Sequence, residues 1–470
     1  MIEANILHEG FLPERAVLAQ RLLNIKSLEE SQREKREAPD AVILLGGGGS
    51  TGKKYGPLFA RAGLPVSVIL DINSEESSVS RASLPQAEYH QISPDFSEED
   101  LGLVFDRFPK AALVVMTPQE THADILLKLA PLIATRGTPV WIDKPLAMSA
   151  QEAVSVSDVL ERYPGLAQQV LSGGYTLDKA TPELALLGAF GQNYPLVDKV
   201  KPADENSPDF ASTYLVDNAR EELGKLRNVR FLFVEGREDI REVVGKYGRT
   251  HLALYPGGGM TGDLLEHLTE KLIREGVLDL DAEFLSVYLG YTPMGLSRTS
   301  FPWQVPQDKG LAETEGEIIL FGKDHAPVLL SYGKRGAQFL GDVRRSKLTF
   351  EHATLETQYI TTKSGKSNIF VVSNEGGPTH RYFIDEDPYV LMLNRFKALW
   401  SGDLQGSGGL YSQLVNAFLI EDIYRIWQKR DPVLFRQSPK AGKFKEHVHR
   451  ASEEYQRRQD ADLELIRKMG

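Results

Sequence analysis

A lysine, an aspartate and a histidine, together with a run of glycines, are the residues of this sequence whose types and spacing suggest chemistry. Lys144 stands in Asp143-Lys144-Pro145, at the end of the short apolar run PVWID (139–143). At the C-terminal edge of a parallel strand, where ligands of such sheets bind, a lysine can hydrogen-bond a substrate oxygen and stabilise charge developing on it. Pro145 biases Lys144 toward extended backbone and turns the chain after it. Asp263 and His267 follow the glycines of Gly257-Gly258-Gly259-Met260-Thr261-Gly262 and lie four positions apart, so one helical face presents both. Histidine exchanges a proton near neutral pH, and the aspartate either orients the ring or binds a substrate hydroxyl. The chemically silent alternatives are a snorkelling surface lysine and a helix-start aspartate beside a core histidine.

The elements that must position these residues begin at AVILL (41–45), a continuous apolar run of the kind buried on both faces of a sheet. The glycines Gly46–Gly52 follow, then the helical stretch KKYGPLFARAG (53–63). Gly47-x-Gly49-x-x-Gly52 is therefore a dinucleotide fingerprint between strand and helix. Its first glycine allows the tight turn, its second the approach of the pyrophosphate, its third close helix packing. Together with Ser50 and Thr51, the free N–H groups of the helix start would hold the phosphates. A P-loop is the rival reading, but Lys54 stands where that motif needs a Ser or Thr hydroxyl for magnesium. Asp71 closes the second apolar run, PVSVIL (65–70), 19 residues beyond Gly52. A carboxylate there accepts hydrogen bonds from adenosine ribose hydroxyls and repels a 2′-phosphate, which favours NAD(H) over NADP(H).

Further apolar runs, AALVVM (111–116) and PVWID, alternate with the helical segment 122–137, ended by Gly137. This alternation implies a doubly wound parallel sheet, a Rossmann domain. After about residue 175 eight strand-like runs follow with a single interrupting helix (262–276), which implies a mainly antiparallel open sheet. The fold class expected is α/β, an N-terminal Rossmann domain plus a C-terminal α+β domain. The boundaries read as an N-terminal arm (1–40), a NAD-binding domain (41–175), a substrate and oligomerisation domain (176–436) and a charged helical tail (437–470). The arm, a short helix over Leu12–Lys26 and a charged connector, is expected to be solvated, with an oligomer clasp as the alternative. Residues 192–226, rich in Pro, Asp and Asn, read as a loop insertion near the substrate entrance.

Thr117-Pro118-Gln119-Glu120-Thr121-His122, Asp143-Lys144-Pro145 and Gly257-Gly258-Gly259 with Asp263 and His267 occur in this order. In combination, from about Ala41 to Arg430, they resemble the glucose–fructose oxidoreductase / inositol dehydrogenase / rhizopine-catabolism (Gfo/Idh/MocA) family, with Asp143 in place of the usual glutamate. The resemblance implies an NAD(H)-dependent oxidoreductase that transfers hydride between nicotinamide and a carbinol or carbonyl carbon. It implies a sugar, polyol or nucleotide-linked sugar as substrate and Lys144, Asp263 and His267 as the catalytic set, His267 being the first choice for the proton. It also places Tyr175 and Lys179 in a substrate-facing aromatic-and-basic segment. Thr117 and Pro118 are expected to shape the loop beside the cofactor, and His122 to face the nicotinamide or else simply to start a helix. The rivals are a non-catalytic dinucleotide-binding sensor, which would need no proton donor, and a reductase of imines or tetrapyrroles on the same fold.

With 470 residues, two domains are the natural division. A formal net charge of −11 argues against nucleic acid or an anionic membrane as the main partner. The absence of cysteine removes disulfides, thiolate catalysis and thiolate metal sites. No apolar run approaches the roughly 20 residues of a membrane helix, and residues 1–20 lack a signal-peptide pattern. A small-molecule substrate, a cytoplasmic location and a homo-oligomer (dimer or tetramer) built through the C-terminal sheet are the expectations. Metal hydrolysis is not expected, because Asp263 and His267 have no evident third ligand.

Overall fold

The computed structural model describes residues 12–173, 200–214, 219–234, 265–274, 276–293, 311–322, 326–333, 343–362, 365–384 and 386–430. Helix α1 (Leu12–Glu30) precedes β1 (Ala41–Leu45), α2 (Ser50–Arg61), β2 (Val66–Asp71), β3 (Glu88–Gln91), α3 (Glu98–Arg107), β4 (Ala111–Val115) and α4 (His122–Arg136). Strand β5 (Val140–Ile142), α5 (Ala150–Arg162) and β6 (Val170–Ser172) complete a six-stranded, wholly parallel sheet of order β3-β2-β1-β4-β5-β6. Every residue of β4 is buried, as its uniformly apolar AALVV requires of a strand covered on both faces. Helix α3 starts at a capping box formed by Ser97 and Asp100, and Gly137 ends α4 with φ +69°, in the left-handed region.

The second sheet contains β7 (Val200–Pro202), β8 (Leu226–Val234), β9 (Glu283–Pro293), β10 (Leu311–Phe321), β11 (Pro327–Gly333), β12 (Val343–Phe350), β13 (Ala353–Thr362), β14 (Gly365–Asn374) and β15 (Thr379–Ile384). Its order is β7-β15-β14-β13-β12-β8-β11-β10-β9, antiparallel except where β8 meets β11. Along β8 buried and exposed residues alternate, so one face packs on the core and the other is open. Two short helices, α6 (Phe210–Tyr214) and α7 (Ala219–Leu223), lie between β7 and β8, and α8 (Glu266–Arg274) between β8 and β9. Residues 200–214 and 219–226, expected as loop, thus supply an edge strand, two helical turns and the start of β8; residues 192–199 and 215–218 lie outside the described residues.

The last two described helices, α9 (Pro388–Trp400) and α10 (Leu410–Arg430), return to the first sheet, and α10 also touches β9 of the second. On α9, Met392, Leu393 and Phe396 join Val42, Leu44, Phe59 and Trp141 in one core. Helix α10 packs against α1, α5, α8 and β6 and is buried along most of its length. Helix α1 of the N-terminal arm is not solvated: Leu22 and Ile25 have no exposure, and Arg21 pairs with Asp158 of α5 at 2.5 Å. Burial of those two side chains stabilises the arm by roughly 1.5–3 kcal/mol each, more than a solvated helix of this length would have.

Candidate functional site

The connections of the first sheet reverse direction between β1 and β4, and in doubly wound sheets ligands bind at the strand ends beside that point. The chain leaves β1 through Gly46 at φ +77°, where a Cβ would lie 2.7 Å from the Thr117 side chain beyond β4. A Cβ on Gly47 would fall 2.5 Å from Leu44, and one on Gly52 only 1.9 Å from the carbonyl oxygen of Gly47. These two glycines let α2 press against β1. Gly49 differs: it is the N-cap of α2, makes no side-chain cap, and a Cβ there would meet nothing within 4 Å. Thr51 is half-buried in the first turn behind it. Among the described residues the first-turn amides therefore have no side-chain cap, the arrangement that suits a pyrophosphate.

Asp71 ends β2 as expected, yet its carboxylate is 5% exposed and already engaged. Oδ2 accepts the Gly48 N–H at 2.7 Å, while Oδ1 accepts the Asn73 N–H at 2.9 Å and the Asn73 Nδ2 at 2.8 Å. Three of about four lone-pair directions are used, which leaves one for a ribose hydroxyl. The Gly48 carbonyl accepts from Val79 N (3.0 Å), Ser80 N (3.3 Å) and Ser78 Oγ (3.2 Å), so the whole peptide is clamped. The Tyr89 hydroxyl lies 2.9 Å from where a Gly48 Cβ would stand and donates to Asn73 O at 3.1 Å. Burial and the Asp71 charge push its phenol above the usual value, which keeps it a donor. Asn73 and Tyr89 escaped the sequence reading; an Asx turn two residues after Asp71 was the available signal.

His122 begins α4 and is 1% exposed. Its Nδ1 lies 2.8 Å from Pro145 O and its Nε2 2.9 Å from Thr117 O, so the ring bridges the loops after β4 and β5. Both polar ring atoms are committed to backbone, a placement different from an imidazole turned toward a nicotinamide. Thr121 Oγ1 donates to Pro118 O at 2.7 Å and lies 2.8 Å from Thr117 Oγ1, which shapes the same loop. Lys144 is half-buried at the end of β5; its N–H donates to Asp143 Oδ1 at 2.9 Å, and the Lys144–Pro145 peptide is cis. Burial pushes the Asp143 carboxyl up, opposed by the charges of His122, Lys144 and Lys54. Lys54, which excluded a P-loop, places its Nζ 2.5 Å from Tyr389 Oη and 4.2 Å from that ring's centre, tying α2 to α9.

His267 lies in α8, its side chain outside the description, as is that of Ser50; Tyr175, Lys179 and Asp263 lie outside the described residues. Among the described residues no three His, Asp or Glu are grouped to hold a metal ion. No described helix is long and apolar enough to cross a membrane.

The sheet order and the glycine turn define a dinucleotide-binding α/β protein. Residues 41–169 match the family model of the Gfo/Idh/MocA oxidoreductases, NAD-binding Rossmann fold. No curated protein sequence matches the chain. Solved structures resemble it in fold. One is an oxidoreductase from Desulfitobacterium hafniense ascribed NADPH dependence, 13% identical with TM-score 0.55, covering 84% of this chain and 97% of that one. Another is KijD10, a 3-ketoreductase from Actinomadura kijaniata in complex with NADP and TDP-benzene, 14% identical with TM-score 0.52, covering 82% and 96%.

Proposed function

We propose that this protein is an NAD(H)-dependent oxidoreductase acting on a carbinol or carbonyl carbon of a sugar, polyol or nucleotide-linked sugar. The observation that carries the reading is Lys144 at the end of β5, one strand from the β1/β4 reversal where the glycine turn offers its free amides. When bound, the nicotinamide supplies or takes the hydride. Lys144 hydrogen-bonds the reacting oxygen and stabilises its developing negative charge. His267 moves the proton, and Asp263 orients that ring or holds a substrate hydroxyl. Thr117, Pro118 and His122 shape the wall beside the nicotinamide, while Tyr175 and Lys179 contact substrate. The residual lone pair and the charge of Asp71 favour NAD(H) over NADP(H).

On this reading the chain divides near residue 175 into a nucleotide domain and a substrate domain, is cytoplasmic, and forms a homo-oligomer through the open face of the second sheet. Leu232, Leu285 and Tyr288, exposed at 36%, 65% and 57%, support that face as the contact. The reading is tested by fluorescence titration with NADH and NADPH, then a polyol and sugar screen followed at the nicotinamide absorbance. Tight binding of one nucleotide with turnover of one such substrate is the expected result. Failure to bind either nucleotide overturns it.

A further inference from the structure

Helix α10 carries buried polar side chains that reach both the segment after Lys144 and α8. Gln413 and Asn416, each 2% exposed, are three positions apart and so neighbours on one helical face. Gln413 Oε1 accepts the N–H of Leu146 at 3.2 Å, two residues beyond Lys144. Asn416 Oδ1 accepts from Thr269 Oγ1 at 2.6 Å, two residues beyond His267. Two turns further along, Glu421 Oε2 accepts Ala150 N at 3.0 Å, so the segment after Lys144 is held at both ends. The rod itself is fixed lengthwise: Glu29 of α1 accepts Leu410 N and Tyr411 N, both at 2.8 Å.

We propose that Gln413 and Asn416 are positioning residues that hold the strand end carrying Lys144 and the helix carrying His267 on one rigid support. The inference rests on the oxidoreductase reading above for the catalytic meaning of those two residues. Leu146 and Thr269 are separated by more than a hundred residues and by parts of both sheets. Each would otherwise shift with its own segment, and errors of about 1 Å in such a constellation cost orders of magnitude in rate. Gln413 is also a poor choice for stability alone. Its Nε2 is buried with no partner among the described residues, and a half-satisfied amide is inferior to an apolar residue of similar shape. Local violations of this kind mark functional positions.

Hydrogen–deuterium exchange on the full chain tests the coupling. Gln413→Leu removes the acceptor for Leu146, and Thr269→Val removes the donor to Asn416 while leaving α10 untouched. Each variant is expected to raise exchange about tenfold both in 142–150 and in 266–274. Thr269→Ser, which keeps the hydroxyl, restores the wild-type pattern, and Leu414→Ala, a general loosening of α10, does not single out these two segments. If Gln413→Leu fails to fold, Thr269→Val and Thr269→Ser decide the matter. Loosening confined to the segment each residue touches overturns the proposal, and so does a failure of Thr269→Ser to restore. An NADH titration of the same samples separates the two readings. Local loosening with NADH binding intact overturns the positioning role alone, whereas a wild type that binds no nucleotide overturns the oxidoreductase reading whatever the exchange shows.

Discussion

The carboxylate of Asp71 and the backbone N–H of Gly48 are joined at 2.7 Å, so the residue expected to read the ribose also pins the glycine turn. These two duties separate on substitution. Asp71→Asn keeps an acceptor for Gly48 but removes the charge that, on the proposed reading, disfavours a 2′-phosphate. Affinity for NADPH relative to NADH should rise about tenfold in fluorescence titration, the scale of one lost charge interaction. Asp71→Ala should weaken both nucleotides by at least about tenfold. An unchanged NADPH/NADH ratio in Asp71→Asn would remove the charge of Asp71 from cofactor choice.

Gly49 and Gly52 should respond in opposite ways to a methyl group. Gly49→Ala meets nothing within 4 Å, so its thermal midpoint should stay within about 2 °C of wild type. Its nucleotide affinity should fall about tenfold or more, because the methyl occupies the approach of the pyrophosphate. Gly52→Ala drives a Cβ to 1.9 Å from Gly47 O and should cost several kcal/mol of stability, on the order of 3. A Gly49→Ala variant with undiminished affinity would relocate the phosphate.

Lys144→Ala tests the strand-end chemistry. Nucleotide affinity should stay within about threefold of wild type, while turnover of an identified substrate falls about 10²–10³-fold, the usual effect of losing one group that stabilises developing charge. Full activity would exclude Lys144 from the reaction.

Glu29 has no exposure and caps two amides of α10 across the fold. Glu29→Ala leaves both donors buried and unpaired, which should lower stability by about 2–4 kcal/mol in urea unfolding. A change below about 0.5 kcal/mol would mean that the arm is dispensable to α10.

Glu152 makes stability depend on pH. Burial is the main cause that raises its carboxyl from 4.5 to about 7, against a hydrogen bond from Met148 N. A carboxyl raised in the folded state binds its proton more tightly there than in the unfolded chain. Its contribution is therefore complete below about pH 4.5 and is lost as pH rises through about 7. The loss should be on the order of 2 kcal/mol, and Glu152→Gln should flatten the urea midpoint across this window. An identical pH profile in wild type and variant would refute the assignment.

The strands were legible in proportion to their apolar content. AVILL, PVSVIL and AALVVM mark β1, β2 and β4 within a residue or two, because a strand buried on both faces must be apolar throughout. The edge strand β3, Glu-Tyr-His-Gln, has no such signature, and β6 has only three residues. The clearest local signal of helices α3 and α5 is the capping-box spacing of Ser97/Asp100 and Ser149/Glu152. Helices α9 and α10 follow the second sheet in the chain, yet α9 packs on the first-sheet core and α10 reaches β6 as well as β9. Chain order carries no information about which apolar face a later helix will cover.

Local patterns in the sequence determined the alternation of elements, the glycine turn, its rejection as a P-loop and the candidate Lys144. Each depends on spacings short enough for backbone geometry to translate directly into position. Tertiary structure alone decided which groups these residues meet. Asp71 meets Gly48, His122 meets Pro145 and Thr117, Lys54 meets Tyr389, and Glu29 meets a helix 381 residues further along. Such partners are chosen by the path of the whole chain. A buried polar group must find an acceptor or donor wherever packing brings one, and no propensity or period encodes where that will be.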